Sequence, residues 1–529
     1  MKNTYEAWKK HLDGSSDAQI LEMMTIGDIE KAFSGDITFG TGGLREIMGL
    51  GANRMNRYTV ERVTHGLAKT ILTHTNPKSV CVAYDTRYNS SEFARMVCDI
   101  LTAFGIDVYI FNKPMPTPAL SFTIRYLRLG WGVVITASHN PQEYNGYKVY
   151  DCSGVQVTDH MARTITEAID STDFFELLPD KQPGTVKTID TETETAYLKQ
   201  ITSFVNRERV SSDFPIIYSA LHGTGANAVP AVLNKLGYAP ICIQQNADSA
   251  FGGLETPNPE EPIVYSQALD KANNNTAKLI MATDPDCDRI GVMVKTQSGF
   301  KLLNGNQIGA LLIDFLAQTR EVTLGDTVIS TIVSGLLGEL VSKAYGLDFV
   351  RLLTGFKYIG EYAEHLPEGK QFFFGYEESY GFLAGDGTRD KDAVMASAMI
   401  VKMADYYDQK GMTLLDRWTE LSQEHGFCLE ALNSAKVPTI RQKQIMYRLR
   451  EGIKIAGLIR TEDYLPGLYN LPPSDVLKLY FRDGGWAAIR PSGTEPKIKL
   501  YTGARAKTIS KAQAELDFIT KEILSLMEV

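Results

Sequence analysis

Asp284, Asp286 and Asp288 alternate within DPDCDR (284–289), directly after an apolar run. Carboxylates so close repel one another unless a cation sits among them, and hard oxygen ligands suit Mg²⁺ or Ca²⁺. The segment does not continue as an EF-hand, because Arg289 stands where that loop needs Gly and Lys295 where it needs Glu. A lone acidic turn would read as a solvated surface feature; the adjoining Arg289 and the preceding apolar run favour a metal site. A second segment, TASHNP (136–141), sets Ser138 beside His139 in another turn after an apolar run. The pair suggests nucleophilic catalysis, but adjacent side chains rarely face each other and no GxSxG elbow is present, so a protease-like triad is not implied. A serine near a divalent cation suits phosphoryl transfer, in which the metal neutralises developing charge.

Three further segments carry weaker signals. GYEESYG (375–381) packs Glu377, Glu378 and Ser379 between glycines, which reads as acceptors for sugar hydroxyls or as a structural turn. RPSGTEP (490–496) joins Arg490 to Ser492, Gly493 and Thr494, a combination that resembles an anion nest and competes with a surface turn. FGTGGLR (39–45) ends in Arg45 but lacks the Lys-Ser pair of a nucleotide-binding P-loop.

The elements that must hold these segments are short β-branched runs bounded by Gly, Pro or Asp, which read as buried strands. One set is Val80–Tyr84, Val108–Phe111 and Val133–Thr136; a second is Ile216–Ser219, Ile241–Ile243 and Leu279–Ala282; a third is Val328–Thr331, Phe349–Leu353 and Phe372–Phe374. Helical patterns such as Ser91–Phe104 and Asn306–Ala317 lie between them, so the expected class is α/β with largely parallel sheets. The last strand of each set runs into one of the polar loops, where α/β domains place their sites. The chain ends differently, with strands at Leu477–Phe481, Trp486–Ile489 and Ile498–Tyr501 and a helix over Thr508–Met527, a smaller α+β domain. The expected division is 1–200 with the serine loop, 201–321 with the acidic loop, 322–436 with GYEES and 437–529 with RPSGTEP.

A chain of 529 residues exceeds what one hydrophobic core supports, and 44% hydrophobic content is enough for several. The formal charge of −9 argues against a nucleic-acid binder, whereas local Arg and Lys clusters can still receive anionic small molecules. No stretch resembles a signal peptide or a membrane span. The six cysteines, at 81, 98, 152, 242, 287 and 428, form no CxxC pair, so neither a zinc site nor a disulfide framework is indicated, and cytoplasm is the expected compartment. The glycosylation-like triplets at Asn89 and Asn274 then carry no weight.

In their order along the chain, FGTGGLR, TASHNP, NGYK (145–148), DPDCDR, GYEESYG and RPSGTEP resemble the α-D-phosphohexomutase superfamily over nearly the whole chain. NRMNRYT (53–59) and RDKDAV (389–394) resemble the branch that contains bacterial phosphoglucomutases and animal phosphopentomutase-type relatives. The resemblance implies three α/β domains and a C-terminal α+β domain around a central cleft. It implies an enzyme that moves a phosphoryl group between the 1- and 6-hydroxyls of a hexose phosphate through a bisphosphate intermediate, with glucose 1,6-bisphosphate as activator. Glucose is the favoured sugar, with mannose and pentose open; a serine-dependent phosphatase and a non-catalytic sensor are the rival readings. By the same resemblance Ser138 carries the phosphoryl group and a metal ligand, and Asp284, Asp286 and Asp288 hold Mg²⁺. Glu377 and Ser379 would contact sugar hydroxyls, and Arg490, Ser492, Gly493 and Thr494 the non-reacting phosphate. Arg45, Lys148 and Arg289 would line the reacting centre, Lys391 is the candidate acid/base, and His139 supports. Partners would be small sugar phosphates, with no nucleic acid or membrane, and the protein a monomer or dimer. Tyr376 is a departure, since many relatives read GEES without it.

Overall fold

The computed structural model describes residues 2–40, 42–180, 182–205, 213–491 and 497–528. It divides into two compact units. The first comprises Met1–Leu302, Gly360–His365 and Gly381–Lys402; the second comprises Leu303–Ile359, Leu366–Tyr380 and Met403–Val529.

In the first unit, a six-stranded sheet contains β1 (Gly43–Ile47), β2 (Ser79–Tyr84), β3 (Asp107–Ile110), β4 (Trp131–Ile135), β5 (Tyr144–Tyr150) and β6 (Val186–Thr188), in the order β1-β5-β4-β2-β3-β6. The central β4 (WGVVI) is buried at every residue, as expected of a parallel strand covered on both faces. It runs parallel to β2, and β2 to β3. β5 returns antiparallel to β4, with Ile135 opposite Tyr147. Helix Arg57–Thr73 covers this sheet and starts at a capping box, in which Asn56 accepts the backbone N–H of Thr59 and Thr59 returns a bond to the Asn56 backbone. NRMNRYT is thus a helix start. The core joins that helix to the strands through Val63, Leu67, Val82, Val97, Val133 and Tyr147.

The same plan recurs in the second sheet, of β7 (Ile216–Ser219), β8 (Ile241–Ile243), β9 (Leu279–Thr283), β10 (Ile290–Thr296) and β11 (Gly299–Leu303), ordered β11-β10-β9-β7-β8. β7 pairs parallel with β8 and β9, and β10 returns antiparallel to β9 with Ile290 opposite Thr283. TASHNP and DPDCDR therefore occupy equivalent places, each in the turn between a buried parallel strand and its antiparallel return. The sequence pattern marks β4 and β9, whereas Asn145 and Lys148 interrupt β5; β10, with its buried apolar run Ile290–Val294, is not among the expected strands.

In the second unit, β12 (Asp326–Thr331) pairs parallel with β13 (Asp348–Leu352) and β14 (Gln371–Glu377). Its neighbouring helix Gly305–Thr319 is capped by Asn304 and Gln307. β15 (Gly381–Leu383) belongs to the first unit, where Gly381 bridges Arg289. The last sheet is antiparallel throughout, in the order β16 (Phe427–Lys436), β20 (Lys497–Ala506), β19 (Trp486–Pro491), β18 (Leu477–Phe481), β17 (Leu458–Asp463). β16 precedes the expected boundary at 436/437 and pairs with β20 along its ten residues. The sheet is backed by helix Ile509–Met527, which buries the stripe Ala512, Leu516, Ile519, Ile523 and Met527. Mixed α/β sheets and a smaller C-terminal α+β part agree with the expected class. Among the described residues no helix is long and apolar enough to cross a membrane.

Candidate active site

Ser138 sits in the turn after β4 with φ of +53°, a left-handed conformation that costs an L-residue about 1–2 kcal/mol. Its backbone N–H donates to Thr136 Oγ1 at 2.8 Å, and its Oγ donates to Asp284 Oδ2 at 2.6 Å. His139 Nδ1 lies 3.2 Å from the same Oγ. The expectation that the two neighbours would not face each other is thus overturned, because the positive φ turns the serine toward the imidazole. Burial, then the positive charges of Arg289 and Arg45, hold the His139 pKa well below the usual imidazole range. His139 is therefore a neutral partner of the hydroxyl at physiological pH.

The turn between β9 and β10 gathers the three aspartates. Asp284 Oδ1 accepts the backbone N–H groups of Asp288 (3.0 Å) and Arg289 (2.9 Å), which closes the turn. One carboxylate oxygen from each of Asp284, Asp286 and Asp288 lies within 4.8 Å of the others, and all three residues are buried. Burial, then the charges of Asp286 and Asp288, push the Asp284 pKa well above the ordinary value. Burial opposes ionisation of Asp288 too, but Lys391, Lys148 and Arg289 overcome it and hold its pKa far below the usual range. Lys148, on β5, reaches Asp286 Oδ2 at 2.9 Å and Asp288 Oδ2 at 3.2 Å; Lys391 reaches Asp288 Oδ2 at 3.2 Å. Burial works against the Lys148 charge, yet the two aspartates raise its pKa. Asp286 Oδ1 and Asp288 Oδ1 are buried with no hydrogen-bond partner among the described residues. Orphaned carboxylate oxygens are costly in a protein interior, and an oxygen-ligated divalent cation satisfies them. The donor set therefore fits the metal that the acidic triplet implies.

Arg45, on β1 opposite Gly146, directs Nη1 to the Ala137 carbonyl at 3.5 Å. Arg289 pairs with Glu260 at 2.9 Å. The expected residues Ser138, His139, Lys148, Asp284, Asp286, Asp288, Arg289, Lys391 and Arg45 thus come together in one unit. Thr117, Glu260 and Arg87 escaped the sequence reading. Thr117 donates its hydroxyl to Asp286 Oδ2 at 2.9 Å and its backbone N–H to the Asp286 carbonyl at 2.9 Å. The signal for Arg87 was available, since DTR (85–87) follows buried β2 as the other loops follow theirs.

The remaining expected residues belong to the second unit. Glu377 is the buried last residue of β14, and Ser379 is half-buried beyond it. Glu378 Oε2 accepts the hydroxyls of Thr331 (2.9 Å) and Ser334 (3.2 Å). Tyr376 points the other way. It is fully buried, stacked on Phe374, with its ring against Gly309 and its hydroxyl against Gly338. The extra tyrosine is therefore a core residue of this unit. Arg490 is half-buried on β19 opposite Lys499, while Ser492, Gly493 and Thr494 lie outside the described residues.

Comparison with known proteins adds three findings. The models of the phosphoglucomutase/phosphomannomutase family match in series: its alpha/beta/alpha domain I at residues 36–176, domain II at 195–299, domain III at 304–422, and its C-terminal domain at 438–517. The chain is 35% identical to a phosphoglucomutase of Staphylococcus haemolyticus, over 96% of this chain and 98% of that one, and 32% identical to one of Staphylococcus aureus, over 97% of each. Its fold resembles a phosphoglucomutase/phosphomannomutase family protein from Burkholderia thailandensis (TM-score 0.73, 17% identity, 92% of this chain and 97% of that one). It also resembles parafusin, a phosphoglucomutase from Paramecium, in an open form (TM-score 0.72, 18% identity, 94% and 96%).

Proposed function

The chain belongs to the phosphoglucomutase/phosphomannomutase family, and from that premise we propose that it interconverts glucose 1-phosphate and glucose 6-phosphate through a phosphoserine at Ser138. The observation that carries this reading is the 2.6 Å bond from Ser138 Oγ to Asp284, inside a buried carboxylate cluster that leaves two oxygens without hydrogen-bond partners among the described residues. In this reading Asp284, Asp286 and Asp288, with an oxygen of the Ser138 phosphoryl group, hold Mg²⁺. When bound, Mg²⁺ offsets negative charge that builds on the phosphoryl oxygens.

The proposed chemistry of the chain is direct. The bond from Ser138 Oγ to phosphorus breaks as the substrate hydroxyl oxygen bonds to phosphorus, giving glucose 1,6-bisphosphate. Lys391 is the candidate acid/base residue, and the proton lost by that hydroxyl ends on Ser138 Oγ as the serine oxygen leaves phosphorus. Lys148, kept cationic by Asp286 and Asp288, and Arg45 and Arg289 offset charge around the group in flight. His139, neutral, orients the serine oxygen. Glu377 and Ser379 hold sugar hydroxyls, and Arg490 with Ser492, Gly493 and Thr494 grips the phosphate that does not react. The other phosphate of the bisphosphate then returns to Ser138. The assignment follows the four-part division expected at 1–200, 201–321, 322–436 and 437–529, with helix Gly305–Thr319 moved to the third part and β16 to the fourth. The cysteines of the chain are free thiols, which suits the cytoplasm as the proposed compartment.

A coupled assay with glucose 1-phosphate, mannose 1-phosphate and ribose 1-phosphate tests the substrate. Glucose 1-phosphate is expected to give the highest kcat/KM. A preference for either other sugar overturns the glucose assignment, and net release of inorganic phosphate instead of isomerisation overturns the mutase.

A further inference from the structure

Arg87 is buried at the carboxyl end of β2, its side chain fully removed from solvent. Nη2 donates to the carbonyls of Ser138 (2.5 Å) and Asn140 (2.5 Å), and Nη1 to those of Pro141 (2.8 Å) and Tyr144 (3.1 Å). Nε lies 3.3 Å from Asp85 Oδ2, and the guanidinium stacks over the Phe251 ring at 4.9 Å. Three carbonyls of the turn and that of Tyr144, the first residue of β5, thus converge on one rigid fork. Asp85 completes the arrangement: its Oδ1 accepts the Ser90 hydroxyl (2.7 Å) and its Oδ2 the Thr136 hydroxyl (2.6 Å). Thr136 Oγ1 in turn accepts the Ser138 backbone N–H at 2.8 Å.

The two peptide groups that flank the Ser138 Cα are therefore fixed from opposite sides, one by Thr136 through Asp85 and the other by Arg87. Two fixed peptide planes determine φ and ψ, and at Ser138 they hold the left-handed value that aims Oγ at Asp284. A serine released from either hold relaxes toward negative φ and swings its hydroxyl off that line. We propose that Arg87, with the Asp85–Thr136 relay, is the positioning device of the nucleophile. It acts through the backbone of the segment that carries Ser138. Arginine suits this task because its planar fork offers five donors in fixed directions, which a lysine ammonium does not reproduce.

The inference rests on the reading of Ser138 as the phosphorylated residue, so the test begins with the intact mass of the wild-type protein. No phosphate adduct after incubation with glucose 1,6-bisphosphate overturns that reading and the positioning role with it. Given an adduct, rapid-quench measurement follows the transfer from the serine to glucose 1-phosphate in Arg87→Lys, Thr136→Val and Thr136→Ser. Misplacement of a reacting atom by about 1 Å costs on the order of a hundredfold, so Arg87→Lys and Thr136→Val are expected to slow transfer about that much. KM and the Mg²⁺ affinity measured by calorimetry should stay within about threefold of wild type, and Thr136→Ser should restore the rate. Should Arg87→Lys fail to accumulate, the nearly isosteric Thr136→Val decides. A wild-type transfer rate in Thr136→Val overturns the proposal, as does a loss in which KM and Mg²⁺ affinity worsen in proportion.

Discussion

Ser138 Oγ and the three aspartates make separable demands on single residues. Ser138→Ala removes the acceptor of the phosphoryl group and one charge-assisted hydrogen bond, with little packing. Turnover should vanish while the melting temperature changes by only a few degrees, because one such bond is worth about 1.5–3 kcal/mol; near-normal activity would sink the covalent mechanism. Asp286→Asn keeps the shape but removes one of the three carboxylates of the site. It should weaken Mg²⁺ binding at least about tenfold, readable by calorimetry as well as by the Mg²⁺ needed to restore activity after EDTA. Full activity without metal would refute the site. Arg490→Ala should raise KM about ten- to hundredfold with a smaller change in kcat, since it removes a hold on a group that does not react; an unchanged KM would make RPSGTEP a structural turn. These residues were legible because their chemistry is written in contiguous letters, DPDCDR and TASHNP. Glu260 and Thr117 were not, because each acts on a partner 29 or 169 positions away and only the folded chain supplies the contact, whereas Arg87 was marked by its place after β2.

At the scale of elements, β14 and β18 carry the sharpest consequences. Tyr376 leaves its buried hydroxyl without a hydrogen-bond partner among the described residues, and a Cβ on Gly338 would sit 2.2 Å from that oxygen. Gly338→Ala should therefore destabilise by about 1–3 kcal/mol through overpacking, and Tyr376→Phe should be neutral or slightly stabilising. Combined, the second change should recover much of the first; strictly additive melting shifts would show that ring and glycine do not meet. On β18, Lys478 is buried with its amine on the Ile332 carbonyl at 2.5 Å. Burial, then the charge of Arg351, brings its pKa down to about 7 from 10.5. Between those values the unfolded chain holds a proton that the folded chain has released, so stability rises with pH by about 1 kcal/mol per unit. Thermal unfolding from pH 7 to 10 should show wild type gaining on Lys478→Met, and parallel curves would contradict this. The parallel strands β2, β4, β9 and β12 were readable from short apolar or β-branched runs. β1 and β5 were not, because Arg45 and Lys148 interrupt their apolar residues at the places where the site needs charge; β10, an apolar run over Ile290–Val294, was readable but is not among the expected strands.

For the whole molecule, length and alternating pattern were enough to indicate several α/β layers and a different C-terminal part. β16 lies upstream of the expected final boundary, because a strand that pairs 61 to 79 residues further along carries no local mark of its partner, as Lys436 opposite Lys497 and Phe427 opposite Ala506 illustrate. The cycle proposed for the chain makes one demand that no single residue expresses: the enzyme must hold a phosphoryl group before substrate arrives. A dephosphorylated Ser138 has nothing to give a monophosphate, whereas a bisphosphate can recharge it from either end. The direct measurement is to strip the phosphate, verify its absence by intact mass, and add glucose 1-phosphate with and without a catalytic amount of glucose 1,6-bisphosphate. The account predicts idle enzyme, or a long lag, without the bisphosphate and immediate turnover with it. Full, immediate activity of verified dephospho-enzyme in the absence of bisphosphate would contradict it.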